Sequence, residues 1–226
     1  MKIGLILTAG GIGKRFGSET PKQFVFLKGK PLFILTLDNL LKIQEFNNII
    51  LTYPKSWENV FFDLIEQFPP SRTVDFVEGG SERFYSVWNA LQHPSIKSTD
   101  IVLIHDAVRP FVTSSLIERL LNGIANFDGV IPGIKVKDTL KESDENGVAL
   151  HTLNRNKIFA IQTPQAFKTQ ILVESYSKAI NDGKIFTDDS GVAEFAGFRI
   201  KIVEGEEINI KITSPLDFAF AEFLNI

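Results

Sequence analysis

Residues 1–17 read Met-Lys-Ile-Gly-Leu-Ile-Leu-Thr-Ala-Gly-Gly-Ile-Gly-Lys-Arg-Phe-Gly. The apolar run Ile3–Leu7 leads straight into a glycine-rich loop that ends in two cations. A short continuous apolar run bounded by turn residues is the pattern of a strand buried on both faces. Comparable runs recur at Asn48–Tyr53, Thr73–Val77, Ile101–Ile104, Gly129–Ile134 and Arg199–Val203. Helical periodicity fills the intervals, at Pro31–Ile43, Ser56–Phe68, Glu82–Leu91, Ser115–Asn126, Lys168–Asn181 and Pro215–Leu224. Strands alternating with helices predict βαβ units, hence an α/β chain built on a largely parallel sheet. Ser115 with Glu118 reads as a capping box, and Ser214-Pro215 as an N-cap followed by a first-turn proline.

Composition narrows the function classes. The chain has 226 residues, enough to bury a core without disulfides, and it contains no cysteine. That excludes a disulfide scaffold and a thiolate metal site, and it suits a reducing compartment. A formal net charge of −3 lacks the basic balance of a nucleic-acid binder, so any anion-binding surface must be local. No stretch approaches the roughly 20 apolar residues that span a bilayer, and the N-terminal run is poor signal-peptide design. A single domain in the cytoplasm, without nucleic-acid or membrane partners, is the expectation. The 20 phenylalanines point to a bulky core or an interface.

One polar stretch, residues 135–157, interrupts the alternation. Val136, Thr139, Val148, Leu150 and Leu153 alternate within it, and Asp144-Glu-Asn-Gly147 is a turn signal between its halves. It reads as a projecting β-hairpin arm, or else as a flexible insertion. A lone hairpin is marginal in water, so an arm needs something to pack on, and a second subunit is the natural candidate.

The first loop, Thr8 to Gly17, is followed by Pro21-Lys22-Gln23. Its glycines let the backbone approach a ligand and turn N–H groups toward an anion. The dinucleotide pattern fails because Phe16 stands where glycine is needed, and the P-loop fails at Thr8 and Arg15. The loop is a different phosphate loop or only a tight turn. Lys14, Arg15 and Lys22 favour the former, because an enzyme joining two polyanions must first neutralise them. Two unit charges 4 Å apart repel by about 4 kcal/mol at an effective dielectric near 20.

Glu78-Gly-Gly-Ser-Glu-Arg-Phe-Tyr-Ser86 ends one strand and opens a helix, with Gly79 and Gly80 for close approach and Ser81, Arg83 and Ser86 for polar contact. Ser81 could equally be an ordinary helix cap. Ile101 to Pro110 places His105-Asp106 at the carboxyl end of a buried strand, where open α/β sheets bind ligands, with Arg109 just beyond. Asp106 there suits a Mg²⁺ partner, an acceptor of a substrate hydroxyl, or an ion pair with Arg109. His105 reads as a packed, hydrogen-bonded residue. Ile208, Ile210 and Ile212 share one side of an alternating stretch whose other side carries Asn209 and Lys211, and Thr187-Asp188-Asp189 reads as a capping turn.

In this order, AGGIGKRFG, PKQF, GGSERFYSV, HDAVRPF, DTLK, NRN, QTPQAF, TDD and EINIKIT resemble the 2-C-methyl-D-erythritol 4-phosphate cytidylyltransferase family over nearly the whole chain. The resemblance implies a Rossmann-like nucleotidyltransferase fold, a twisted and largely parallel sheet flanked by helices. It also implies a homodimer with exchanged arms, Mg²⁺ dependence, and CTP with a polyol phosphate as substrates. By that resemblance Arg15 and Lys22 stabilise charge on the α-phosphate, while Arg155, from the partner subunit, and Lys211 position the acceptor phosphate. Ala9, Gly10, Gly11 and Gly13 match the phosphate loop. Gly80, Ser81, Arg83, Ser86 and Ala107 match the nucleotide-recognition segments, and Asp106, Arg109, Thr163 and Thr187 the acceptor site, Asp106 also being the metal position. Gly10 stands where many members have alanine, and Ser81 where many have aspartate. AGGIG and HDAVRPF also occur in ribitol-5-phosphate cytidylyltransferases, whereas TDD favours the methylerythritol acceptor.

The chemistry implied is in-line displacement. An ionised phosphate oxygen attacks the α-phosphorus of CTP and pyrophosphate leaves, so no general base is required. Ribitol 5-phosphate as acceptor, or a nucleotide-binding module without turnover, are the alternatives.

Overall fold

A computed structural model describes residues 1–11 and 20–224. Gly13, Lys14, Arg15 and Gly17 of the first loop lie outside the described residues. The elements run β1 (Ile3–Thr8), a ribbon of β2 (Phe26–Leu27) and β3 (Lys30–Pro31), α1 (Leu32–Ile43), β4 (Asn48–Tyr53), α2 (Glu58–Gln67), β5 (Asp75–Glu78), α3 (Arg83–Leu91) and α4 (Pro94–Lys97). They continue with β6 (Ile101–Asp106), α5 (Ser114–Gly123), β7 (Gly129–Lys135), β8 (Lys141–Ser143), β9 (Ala149–Thr152), β10 (Phe159–Ile161) and β11 (Gln165–Lys168). The last are α6 (Thr169–Asn181), α7 (Asp189–Phe195), β12 (Ile200–Glu204) and α8 (Pro215–Phe223).

Among the described residues the main sheet has eight strands, ordered β10-β7-β11-β6-β1-β4-β5 with β12 on the other edge of β7. β6, β1, β4 and β5 pair in parallel, as do β12 and β7. The sheet is mixed with a mostly parallel core. β10 and β11, two short strands absent from the sequence expectation, run antiparallel to β7, and β11 also to β6. Lone runs of three or four residues carry too little periodicity to register.

The period of two along each strand sorts the core. Leu5, Leu7, Leu51 and Leu103 pack with α1, α2 and α5 on one face, while Ile6, Ile50, Val102 and Ile104 pack with α3, α6 and α7 on the other. Each such side chain contributes about 1.5–3 kcal/mol on full burial. Phenylalanines fill both faces, and on the first Phe24, Phe33 and Phe61 are buried with ring centroids 5.1–6.5 Å apart.

Most expected boundaries shift by only one or two residues. One cap is corrected: Thr113, not Ser115, caps α5, its hydroxyl accepting the N–H of Leu116. Thr113 already has extended backbone there, so the helix begins earlier than the Ser-x-x-Glu spacing suggests. Ser214 caps α8 as expected, with Asp217 closing a capping box, and Asp188 caps α7. The alternating stretch around Ile208 is not a strand, yet Ile208, Ile210 and Ile212 all pack on one cluster beside α8.

The arm is a hairpin of β8 and β9, turning at Asp144–Gly147 with Gly147 at φ 81°. Val148 and Leu150 on it are 60% and 58% exposed, so this part of its apolar alternation is uncovered among the described residues, while Val136 and Leu153 are half-buried. No helix among the described residues is long and apolar enough to cross a membrane.

Candidate active site

The register pairs Thr8 with Asp106, so the carboxyl ends of β1 and β6 finish level at one rim of the sheet. Two cavities open there. One, of about 250 Å³, is lined by Ala9, Gly10 and Gly11 of the first loop with Lys22, Gln23 and Ser86. The other, of about 570 Å³, is lined by Arg109, Lys157, Thr163, Thr187 and Asp188, with an apolar wall that includes Ile131. Arg83, Asp106 and Lys211 line both.

At that shared wall a carboxylate faces three cations, the third being Arg109 of the larger cavity. Asp106 is 5% exposed. Its Oδ1 accepts Arg83 Nε–H at 3.0 Å, and its Oδ2 lies 2.8 Å from Lys211 Nζ and 3.5 Å from Arg109 Nε. Burial alone would raise its pKa. Arg83, Lys211 and Arg109 outweigh that and hold the carboxyl well below the usual range.

The loop carrying Lys211 is held from below. Gln162 donates Nε2–H to the carbonyls of Glu206 (2.8 Å) and Asn209 (3.2 Å) and accepts the Glu206 N–H (3.0 Å). Asn209 donates to the Thr163 carbonyl, and Arg109 Nη1 donates to the Asn209 carbonyl, both at 2.8 Å. Neither Gln162 nor Asn209 was legible as functional, since amides at these positions carry no spacing signal.

The first loop is clamped likewise. Gln23, buried behind Lys22, donates Nε2–H to the carbonyls of Ala9 (2.8 Å) and Gly11 (2.6 Å). Thr52 Oγ1 accepts the N–H groups of Ala9 (3.1 Å) and Gly10 (3.2 Å). Those two amides, expected to face phosphate, are therefore engaged by the end of β4. A Cβ on Gly10 would meet Ser86 Oγ at 3.0 Å and Gly79 Cα at 3.1 Å, which ties the two glycine loops back to back.

Several expected residues have structural partners within the chain. Gly80 is demanded by packing, because a Cβ there would fall 2.2 Å from that of Tyr85. Ser86 accepts the Gly80 N–H and donates to the Glu82 carbonyl while lining the smaller cavity. Ser81 is exposed, lines neither cavity, and is not the cap of α3, a position Glu82 takes without a side-chain bond. Ala107 is buried beneath the site, its carbonyl accepting the Thr36 hydroxyl. Arg155 lies on a 3-10 turn of the arm, exposed, donating to the Lys137 carbonyl and lining neither cavity. Lys157, which the motifs did not mark, lines the larger cavity.

His105 is fully buried and its tautomer follows from its partners. Nε2 faces the Arg109 carbonyl at 3.0 Å and must carry the proton, so Nδ1 accepts from Thr163 Oγ1 at 3.1 Å. Thr163 Oγ1 in turn accepts the Asp106 N–H, so its hydroxyl is committed to the frame. Burial lowers the His105 pKa to about 4. The unfolded chain takes up this proton near pH 6.5 and the folded chain does not until about pH 4. Stability is therefore expected to fall by up to about 3 kcal/mol as pH drops across that window. Urea unfolding at pH 7 and pH 4.5 checks this, and His105→Gln should flatten the difference.

The family model for 2-C-methyl-D-erythritol 4-phosphate cytidylyltransferase matches residues 3–225. The chain belongs to this family. It is 38% identical over 222 residues to the 2-C-methyl-D-erythritol 4-phosphate cytidylyltransferase of Clostridium botulinum, covering 98% of each chain. It is 40% identical over 221 residues to that of Fusobacterium nucleatum, covering 97% of this chain and 95% of the relative. Among solved structures, the 4-diphosphocytidyl-2C-methyl-D-erythritol synthase of Anaerococcus prevotii superposes with a TM-score of 0.82 at 32% identity, covering 98% of this chain and 95% of that one. As a cytidylyltransferase-family enzyme, the chain carries its two cavities at the rim where doubly wound sheets hold ligands.

Proposed function

We propose that the protein transfers the cytidylyl group of CTP to the phosphate of 2-C-methyl-D-erythritol 4-phosphate, releasing pyrophosphate. The smaller cavity, with its glycine loop and Lys22, takes the nucleotide, and the larger takes the acceptor. The observation that carries this reading is the shared wall of Arg83, Asp106 and Lys211, which puts both anions within reach of the same charges. The attacking phosphate oxygen is already ionised, so these residues bind, orient and neutralise rather than move protons. His105 is excluded as a base by its burial and its bonds.

Among the described residues no three acidic or histidine side chains cluster to hold a metal. A Mg²⁺ ion carried by the triphosphate, with Asp106 as single protein ligand, fits this donor set, since Mg²⁺ keeps waters and phosphate oxygens as ligands. When bound it would neutralise the leaving pyrophosphate. Arg155 reaches an active site only across a dimer, so arm exchange between two copies, with the exposed Val148 and Leu150 buried, is part of the proposal. The cytoplasm is the compartment expected.

Pyrophosphate release from CTP and Mg²⁺ with a panel of polyol phosphates tests the activity. Preference for 2-C-methyl-D-erythritol 4-phosphate over ribitol 5-phosphate is expected, and release with neither would reject the assignment. Lys22→Ala and Arg15→Ala should each lose more than about nine-tenths of turnover with unchanged circular dichroism. Near-normal rates in both would remove them from the mechanism.

A further inference from the structure

Arg83 touches a second carboxylate that the reaction scheme leaves unused. Its Nη2 lies 2.7 Å from Oδ2 of Asp189, in the first turn of α7, while its Nε lies 3.0 Å from Oδ1 of Asp106. Asp189 is wholly buried, and its Oδ1 accepts the Tyr176 hydroxyl at 2.6 Å. Tyr176 is also wholly buried and stacks on Phe84 at 4.8 Å and Trp88 at 6.3 Å, both on the helix that Arg83 opens.

The neighbouring capping residue plays a different part. Asp188 accepts from Gly191 N–H, Ser190 and Gln165, so α7 keeps its cap without Asp189. A buried carboxylate with no cap to make, aimed at a guanidinium on the wall between the cavities, needs another reason.

We propose that Asp189 is a positioning residue for cytidylyl transfer, holding Arg83 stretched between two carboxylates so that Asp106 stays available to Lys211. Only a planar fork can serve both acids at once. Without Asp189, Arg83 is free to turn both nitrogens onto Asp106, the acid that also carries Lys211 at 2.8 Å. The cations facing the two phosphates would then be rearranged although none had been removed. Tyr176 fixes Asp189 in turn, its own position set by the ring stack.

This inference rests on the proposed transfer reaction for its kinetic arm, and a second readout is independent of turnover. In the kinetic arm, Asp189→Asn, nearly isosteric, is expected to lower kcat/KM about 30- to 100-fold, and Tyr176→Phe about threefold. Arg83→Lys keeps a charge for the buried acid but cannot span both acids. In that background Asp189→Asn should cost less than about threefold more, because the residue acts through the fork. A full additional loss in that background would mean that Asp189 acts structurally and would overturn the proposal. In the second arm, the Arg83 Nε–H resonance is followed by NMR in the ligand-free protein. A changed chemical shift in Asp189→Asn is expected, because Nε–H, which meets Asp106 at 3.0 Å, would then share that carboxylate with the Nη2 that Asp189 holds in the wild type. An unchanged resonance in Asp189→Asn overturns the proposal whatever the enzyme turns over, whereas an altered resonance in a protein inactive on every acceptor would count against the reaction alone.

Discussion

Lys211→Ala is expected to lower kcat/KM for the acceptor by about 10²- to 10³-fold while the fold survives. The magnitude is that of deleting one preorganised charge from a site where phosphates meet. The fold should survive for a local reason. The loop bearing Lys211 is strapped by Gln162, Asn209 and Arg109, and by the Ile212 N–H on the Val108 carbonyl at 2.9 Å, none of which uses the ammonium. The Lys211 side chain is 37% exposed, so its removal leaves no sealed void. Asp106 keeps Arg83 and Arg109 as partners and stays paired. Steady-state pyrophosphate release with varied acceptor, beside a thermal melt, checks both halves. A loss of activity that tracked a collapse of Tm would point to a structural lysine instead.

The second large effect belongs to Asp106→Asn. The substitution keeps the shape of the side chain and deletes the one carboxylate that, among the described residues, pairs with Lys211 and Arg109, leaving Arg83 with Asp189. Removing one member of a buried ionic cluster costs about 3 kcal/mol or more, because the remaining charges stay desolvated and unpaired. Turnover should fall at least about 100-fold, since the cations lose the acid that orients them. The cluster is then a stronger anion site than before. Inorganic phosphate or pyrophosphate should raise the Tm of Asp106→Asn much more than that of the wild type, a ligand at 100 times its Kd adding about 2.7 kcal/mol. Equal responses of the two proteins would show that the three cations do not act as one site. The wild-type carboxyl is held well below its usual range, so Asp106 itself should add no inflection to the rate near neutral pH.

The buried strands announced themselves because a strand covered on both faces must be apolar throughout, as Leu5, Ile6 and Leu7 are. Asp106 and Arg109 were legible because charged residues at the carboxyl end of such a run stand where open α/β sheets bind ligands. Lys22 and Lys211 were legible as parts of motifs, and the structure brings both to the smaller cavity. Arg155 was named by motif too, yet a single chain leaves it outside either cavity.

The amino-acid sequence by itself determined the alternation of the longer strands and helices and the family, because these follow from periodicity and motif order along the chain. Tertiary structure alone decided which polar groups are already spent. Thr52 occupies the amides of Ala9 and Gly10, His105 and the Asp106 backbone occupy Thr163, and Tyr176 and Arg83 occupy Asp189. The reason is the range of the bond. A hydrogen bond or ion pair is settled at about 3 Å between residues 13 to 106 positions apart, and no local pattern encodes which distant partner will arrive.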